Sequence, residues 1–107
     1  MHSKTDRQTR LKVKTFNALA DPNRLEILEF IRTNEKCVCE IIPHVGLIQP
    51  VVSRHLKILK DSGLVRDRKD GAKRLYSITE PKIFEIIDAA APELINALSK
   101  RIVEQIA

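Results

Sequence analysis

Glycine is scarce in this 107-residue chain, with only three, at positions 46, 63 and 71, so no glycine-rich loop is available to cradle a phosphate. Tryptophan is absent and aromatic residues make up 4%, which weakens any reading of an amphipathic stretch as a membrane-surface anchor. No apolar run approaches the roughly 18 residues that a membrane span requires, and residues 1–10 are polar where a secretion signal would be apolar. A cytoplasmic protein without a membrane partner is therefore expected. The two cysteines, Cys37 and Cys39, are separated by one residue, a spacing too short to staple a fold, and in a reducing compartment they are expected to stay thiols.

What the chain does have is charge. Nineteen Lys and Arg against fourteen Asp and Glu give a net charge of +5, which favours an acidic polymer or surface as partner. Length and balance fit one domain over 1–107, without a cleft between domains.

Leu11, Val13, Phe16 and Leu19 predict a first helix over about 8–19, behind a flexible N-terminal arm, residues 1–9. Asp21 before Pro22 reads as an N-cap and first helical residue, opening a second helix to about Arg32 with Leu25, Leu28 and Ile31 inward. A short helix from Cys37 to about His44 follows. Gln49 and Pro50 open a further helix whose Val52, Leu56 and Leu59 form one buried stripe, while Ser53, Arg54, Lys57 and Lys60 lie on its other face. Two strands, 64–68 and 74–78, flank a loop containing Asp70 and Gly71, and a long helix, bent at Pro92, runs over 80–107. Helix, helix, short helix, cationic helix and basic hairpin make a winged helix-turn-helix pattern, mainly α with a small β-hairpin.

The chain resembles the ArsR/SmtB family of metal-responsive winged-helix repressors over about residues 10–100. ALADPNRLEIL at 18–28 is similar to that family's second helix, QPVVSRHLKILKDSGLV at 49–65 to its recognition helix, and DGAKRLYSI at 70–78 to its wing. CVCE at 37–40 resembles the inducer box of its arsenic and cadmium/lead branches. Ile48 departs from the Ser or Thr that relatives use to cap the recognition helix.

A helix fits the major groove, so Gln49, Ser53 and Arg54 are assigned to base or near-base contacts and Lys57 and Lys60 to phosphates. Lys69, Lys73 and Arg74 are assigned to wing contacts with backbone or minor groove. The competing reading is a solvated basic face. His55 lies toward the inner side of that helix, where packing and phosphate contact are equally open.

Paired thiolates suit As(III) or Sb(III) first, and Cd(II), Pb(II) or Zn(II) as alternatives. On a regular helix Cys37 and Cys39 would point about 200° apart, so an ion held by both would unwind the first turn and shift the recognition helix. The third sulfur of three-cysteine relatives falls at Ile42, leaving His44, the partner chain's His2, water or a small thiol as third ligand. The carboxylate-and-His zinc site of another branch is not expected, because Lys82 occupies one His position and only Glu80 and Glu93 remain acidic.

An apolar stripe of Phe16, Leu19, Ile83, Ile87, Leu94, Leu98 and Ile102 predicts a homodimer through the N- and C-terminal helices, residues 80–107 forming the latter. No enzyme is expected, since Ser53 and His55, two apart on one helix, point away from each other. The expected function is a repressor that leaves double-stranded operator DNA when a thiophilic ion binds Cys37 and Cys39. The alternatives are a redox-responsive or constitutive repressor, in which the cysteines oxidise or merely pack, and a thiol metal-binding protein without specific DNA binding.

Overall fold

The structure is a computed structural model and describes residues 6–106. His2 and the first five residues of the predicted arm lie outside the described residues. Helix α1 spans Arg7–Leu19 and α2 Pro22–Phe30; β1 is Lys36–Cys37, α3 Val38–Val45 and α4 Gln49–Asp61. Strands β2, Val65–Asp70, and β3, Lys73–Ile78, form the wing, followed by α5, Ile83–Ala89, and α6, Pro92–Ile106.

The starts of the helices follow from local chemistry. The Asp21 carboxylate accepts from the Asn23 and Arg24 amides at 2.8 and 3.1 Å, and Pro22 occupies a position whose missing donor would have been orphaned. Gly46 closes α3 with φ 71°, a left-handed conformation that an L side chain resists. Helix α4 starts without a side-chain cap, as the apolar Ile48 implied.

Ile27 and Leu28 of α2, Ile31 that caps its end, Ile41 of α3, and Val52, Leu56 and Leu59 of α4 are almost wholly buried and form the centre of the core. Each fully buried aliphatic side chain contributes about 1.5–3 kcal/mol, and Ile41 is the one by which the short α3 joins this core. Arg32 docks α5 onto α2 through Asp88, at 2.6 Å, while its guanidinium lies 4.3 Å from the centre of the Phe84 ring.

Four expectations change. Leu25 is exposed: the inward face of α2 centres on Ile27 and Leu28, and Leu25 lies instead along an apolar groove beside Phe16 and Ile86. The hairpin is part of a three-stranded antiparallel sheet of order β1-β3-β2, in which Lys36 faces Tyr76 and Cys37 faces Leu75. The wing turn consists of Gly71 and Ala72, since Asp70 pairs with Lys73 inside the ladder; Gly71, φ 63°, stands where a two-residue hairpin of type II′ needs positive φ. The last helical stretch begins at Ile83 rather than residue 80 and is broken, not bent, at Ala90 and Ala91. Pro92 restricts the residue before it and offers no amide to the preceding turn, so the chain restarts as a new helix.

Candidate nucleic-acid interface

Burial of Val52, Leu56 and Leu59 fixes the rotation of α4 and leaves Gln49, Ser53, Arg54 and Lys57 exposed together. Gln49 and Ser53, one turn apart, form one wall of a cleft of about 560 Å³. Its second wall is the wing, with Ala72, Lys73, Arg74 and Tyr76, and its floor is the start of α3, with Cys37, Val38, Cys39 and Ile42. The structure thus brings Gln49, Ser53, Lys73, Arg74 and both cysteines around a single opening. Arg54 and Lys69 are exposed outside it.

The predicted phosphate ligands divide into two kinds. Arg54, Lys69 and Lys73 have no ion-pair partner among the described residues. Lys57 pairs with Asp61 at 3.1 Å on the open surface, where such a pair contributes little. Lys60 and Arg74 both hold Asp67, at 2.9 and 2.8 Å. The Asp67 side chain is only 8% exposed. The Lys60 ammonium beside it, and secondarily Arg74, keeps its carboxyl below the usual carboxylate range, while burial pushes the Tyr76 phenol up. Asp67 therefore ties the last turn of α4 to the wing, and its single negative charge offsets one of the two positive charges it holds. Sequence reading missed it; the signal was an acid inside a basic strand, Arg66-Asp67-Arg68. At the wing's base Arg68 donates to both oxygens of Glu35, just before β1.

His55 is a packing residue. Its Nδ1 lies 3.2 Å from Arg24 Nη1, and Arg24 also donates to the carbonyls of Ala18, at 2.7 Å, and Asn17, at 3.1 Å. With Arg24 as donor, Nδ1 is the acceptor and the ring proton sits on Nε2. Ser53 faces the cleft and His55 faces Arg24, so the two do not form a nucleophile–base pair.

The cysteine box corrects two expectations. Cys37 and Cys39 are joined in a disulfide instead of remaining thiols. Nor do their side chains diverge by 200°, because Cys37 is not in the helix: it is the extended N-cap of α3, with φ −71° and ψ 149°, and only Cys39 lies in the first turn. Cys37 Sγ accepts from the Cys39 amide at 2.9 Å while Glu40 accepts from the Cys37 amide at 3.0 Å, a capping box built on sulfur. Cys37 is 4% exposed and Cys39 is open to solvent.

Reduced, the two sulfurs would offer a soft ion two donors at the start of α3. A third protein ligand is missing: no group of three or more His, Cys, Asp and Glu that could hold a metal exists among the described residues. The predicted candidate His44 is engaged elsewhere, its ring stacked 3.8 Å from Phe30 and its Nε2 3.4 Å from Glu26.

Of the residues predicted for dimerisation, Phe16, Leu94, Leu98 and Ile102 are exposed, and no residue of α6 is buried. Leu19 and Ile83 instead belong largely to the protomer's own core, each less than a tenth exposed, and Ile87 is half-buried. Phe16, Leu25, Ile86, Ile87, Leu94 and Ile95 line an apolar groove of about 590 Å³ between α1, α2, α5 and α6. No helix among the described residues is long and apolar enough to cross a membrane.

Comparison with known proteins agrees with this geometry. The sequence pattern of bacterial regulatory proteins of the arsR family matches residues 21–67. The chain is 44% identical over 72 residues to a protein of Streptomyces lividans named "Probable mercury resistance operon repressor"; the match takes in 67% of this chain and 58% of that repressor. It is 38% identical over 85 residues to the arsenical resistance operon repressor of Staphylococcus aureus, covering 79% of this chain and 80% of the other. Among solved structures, a homodimeric winged helix-turn-helix DNA-binding domain from Mycobacterium bovis superposes with a TM-score of 0.75 at 27% identity, over 91% of this chain and 95% of that one.

Proposed function

The chain belongs to the arsR family of bacterial regulatory proteins, and on that premise we propose that it is a homodimeric repressor. It binds a palindromic operator and is released when a thiophilic ion, arsenite or antimonite first, is held by reduced Cys37 and Cys39. The observation that carries this reading is the shared cleft: exposed Cys39, with buried Cys37 behind it, lines the space between the exposed face of α4 and the basic wing. Gln49, Ser53 and Arg54 read or approach base edges, while Lys57, Lys60, Lys69, Lys73 and Arg74 meet the backbone. Two copies related by a twofold axis present their reading helices to successive major grooves, about 34 Å apart. The exposed apolar faces of α1 and α6 supply the surface for that pairing.

Cys37 and Cys39 each give up a thiol proton and replace a hydroxide of the arsenous acid, releasing two waters and forming two As–S bonds. Because Cys37 is paired in the sheet with Leu75, movement of its sulfur is transmitted to wing strand β3, and movement of Cys39 to α3, which packs on α4. Induction therefore changes the angle between wing and reading helix. The third ligand comes from outside the described residues, as the partner chain's His2, water or a small thiol.

The test is fluorescence anisotropy of the reduced protein on a labelled duplex from just upstream of its own gene, titrated separately with arsenite, antimonite, cadmium, lead and zinc. Near-stoichiometric release by arsenite or antimonite, with Cys39→Ser remaining on the DNA at the same dose, is the expected result. Release of Cys39→Ser at that dose would remove the box from the mechanism. The disulfide favours a second reading, a thiol redox-responsive repressor, which the same titration supports if the reduced and oxidised proteins differ in affinity while no ion acts.

A further inference from the structure

We propose that the Cys37–Cys39 disulfide exchanges with a low-molecular-weight thiol carrying carboxylates, which becomes attached to Cys39 inside the DNA-reading cleft and excludes DNA from it. This rests on the DNA-binding reading above and adds a covalent modification site to it. Four features converge on it.

A bridge across one intervening residue closes so small a loop that it restrains the unfolded chain little, so it is not there to stabilise the fold. The two sulfurs are unequal in access: Cys39 is solvent-exposed and Cys37 is buried, so an incoming thiolate reaches Cys39. They are also unequal as leaving groups. Negative charge that builds on Cys37 as the S–S bond breaks falls at the N-cap of α3, where the Cys39 amide donates to it at 2.9 Å. Finally, the cleft of about 560 Å³ is of the size that takes small molecules and carries Lys73, which has no ion-pair partner among the described residues, beside Arg74, whose charge Asp67 partly offsets. These cations, placed there for DNA phosphates, serve equally for carboxylates.

The exchange is balanced without an outside oxidant. The attacking thiolate forms a new S–S bond to Cys39, the Cys37–Cys39 bond breaks, its electron pair stays on Cys37, and Cys37 takes up the proton the small thiol released. The attached molecule then occupies the space between Gln49 and Ser53 on one side and Lys73 and Arg74 on the other, and its negative charge repels the phosphate backbone.

Oxidised protein is incubated with glutathione, with neutral 2-mercaptoethanol or with cationic cysteamine at matched thiolate concentration, followed by intact-mass measurement, peptide mapping and anisotropy on the upstream duplex. Glutathione is expected to modify Cys39 about fivefold more readily than cysteamine, a preference that Lys73→Glu reverses. Excess duplex is expected to slow the reaction, and the adduct to bind DNA at least tenfold more weakly. An adduct on Cys37, no adduct, no charge preference, or an adduct of unchanged DNA affinity would each overturn the proposal. Fully reduced protein titrated with arsenite in parallel keeps the two readings apart: release there upholds the ion-responsive repressor whatever the adduct does. If no form of the protein binds the duplex, the repressor reading fails, and with it the exclusion of DNA.

Discussion

Arg54→Ala separates base reading from general attraction to DNA. The Arg54 side chain is exposed and has no ion-pair partner among the described residues, so its truncation should change folding stability by no more than about 0.5 kcal/mol. A good bidentate base contact discriminates by about 1–3 kcal/mol, and a twofold dimer makes it twice, so about 2–6 kcal/mol of operator affinity is at stake. At about 1.4 kcal/mol per decade this is a loss of roughly 30-fold to 10⁴-fold. Anisotropy on the upstream duplex and on a scrambled duplex of equal length measures it, and the loss should fall mainly on the former. Lys57→Ala serves as contrast. Its removal should weaken both duplexes alike and lower the salt slope by about 2, one phosphate per protomer, though less if the Asp61 pair persists on DNA. Equal proportional losses on both duplexes for Arg54→Ala, or none, would refute the assignment of Arg54 to the bases.

Leu56→Ala, at a position 1% exposed, should cost about 2–5 kcal/mol in urea denaturation; a smaller loss would mean that the α4 stripe does not anchor the reading helix. Leu98→Glu should yield a monomer in sedimentation and abolish tight operator binding, and a variant that stays dimeric would move the interface away from α6. Acid should destabilise the fold. Asp67, Glu35 and Asp88 are held below their ordinary pKa by Lys60, Arg68 and Arg32, so below about pH 4 the unfolded chain binds more protons. The stability these carboxylates contribute is thus full above their unfolded pKa values and lost as pH falls through the folded ones. Thermal midpoints should be level between pH 7 and 5 and drop below about pH 4; a midpoint that rises on acidification would contradict the ion-pair reading.

The helices with strong local signals were legible in the sequence. Asp21-Pro22 and the Val52, Leu56, Leu59 stripe carry their own start signal and periodicity, and they place the reading helix within a residue or two. Strand β1 was not legible, because two residues cannot show alternation and Lys36–Cys37 becomes a strand only by pairing with β3. This also explains the misplaced cysteine geometry: taken as helical, Cys37 points away from Cys39, whereas as an extended N-cap it points toward it. The break at Pro92 was visible but underestimated. Asp67 was hidden because the value of an acid among cations depends on the register that places Lys60 and Arg74 on either side of it. Burial was likewise not legible: an apolar stripe does not say that Leu19 and Ile83 are largely covered by the protomer itself, with Leu19 also lining the groove beside Phe16.

The uncovered apolar length of α6 has a consequence for gene control. If two chains must meet before either reading helix is paired, operator occupancy at low protein levels rises with the square of chain concentration. A repressor of this construction responds to a modest fall in its own amount more steeply than a single-chain reader would. If that pairing runs through α6, the helix that leaves its apolar side chains in solvent would also set the sharpness of the threshold between silence and expression.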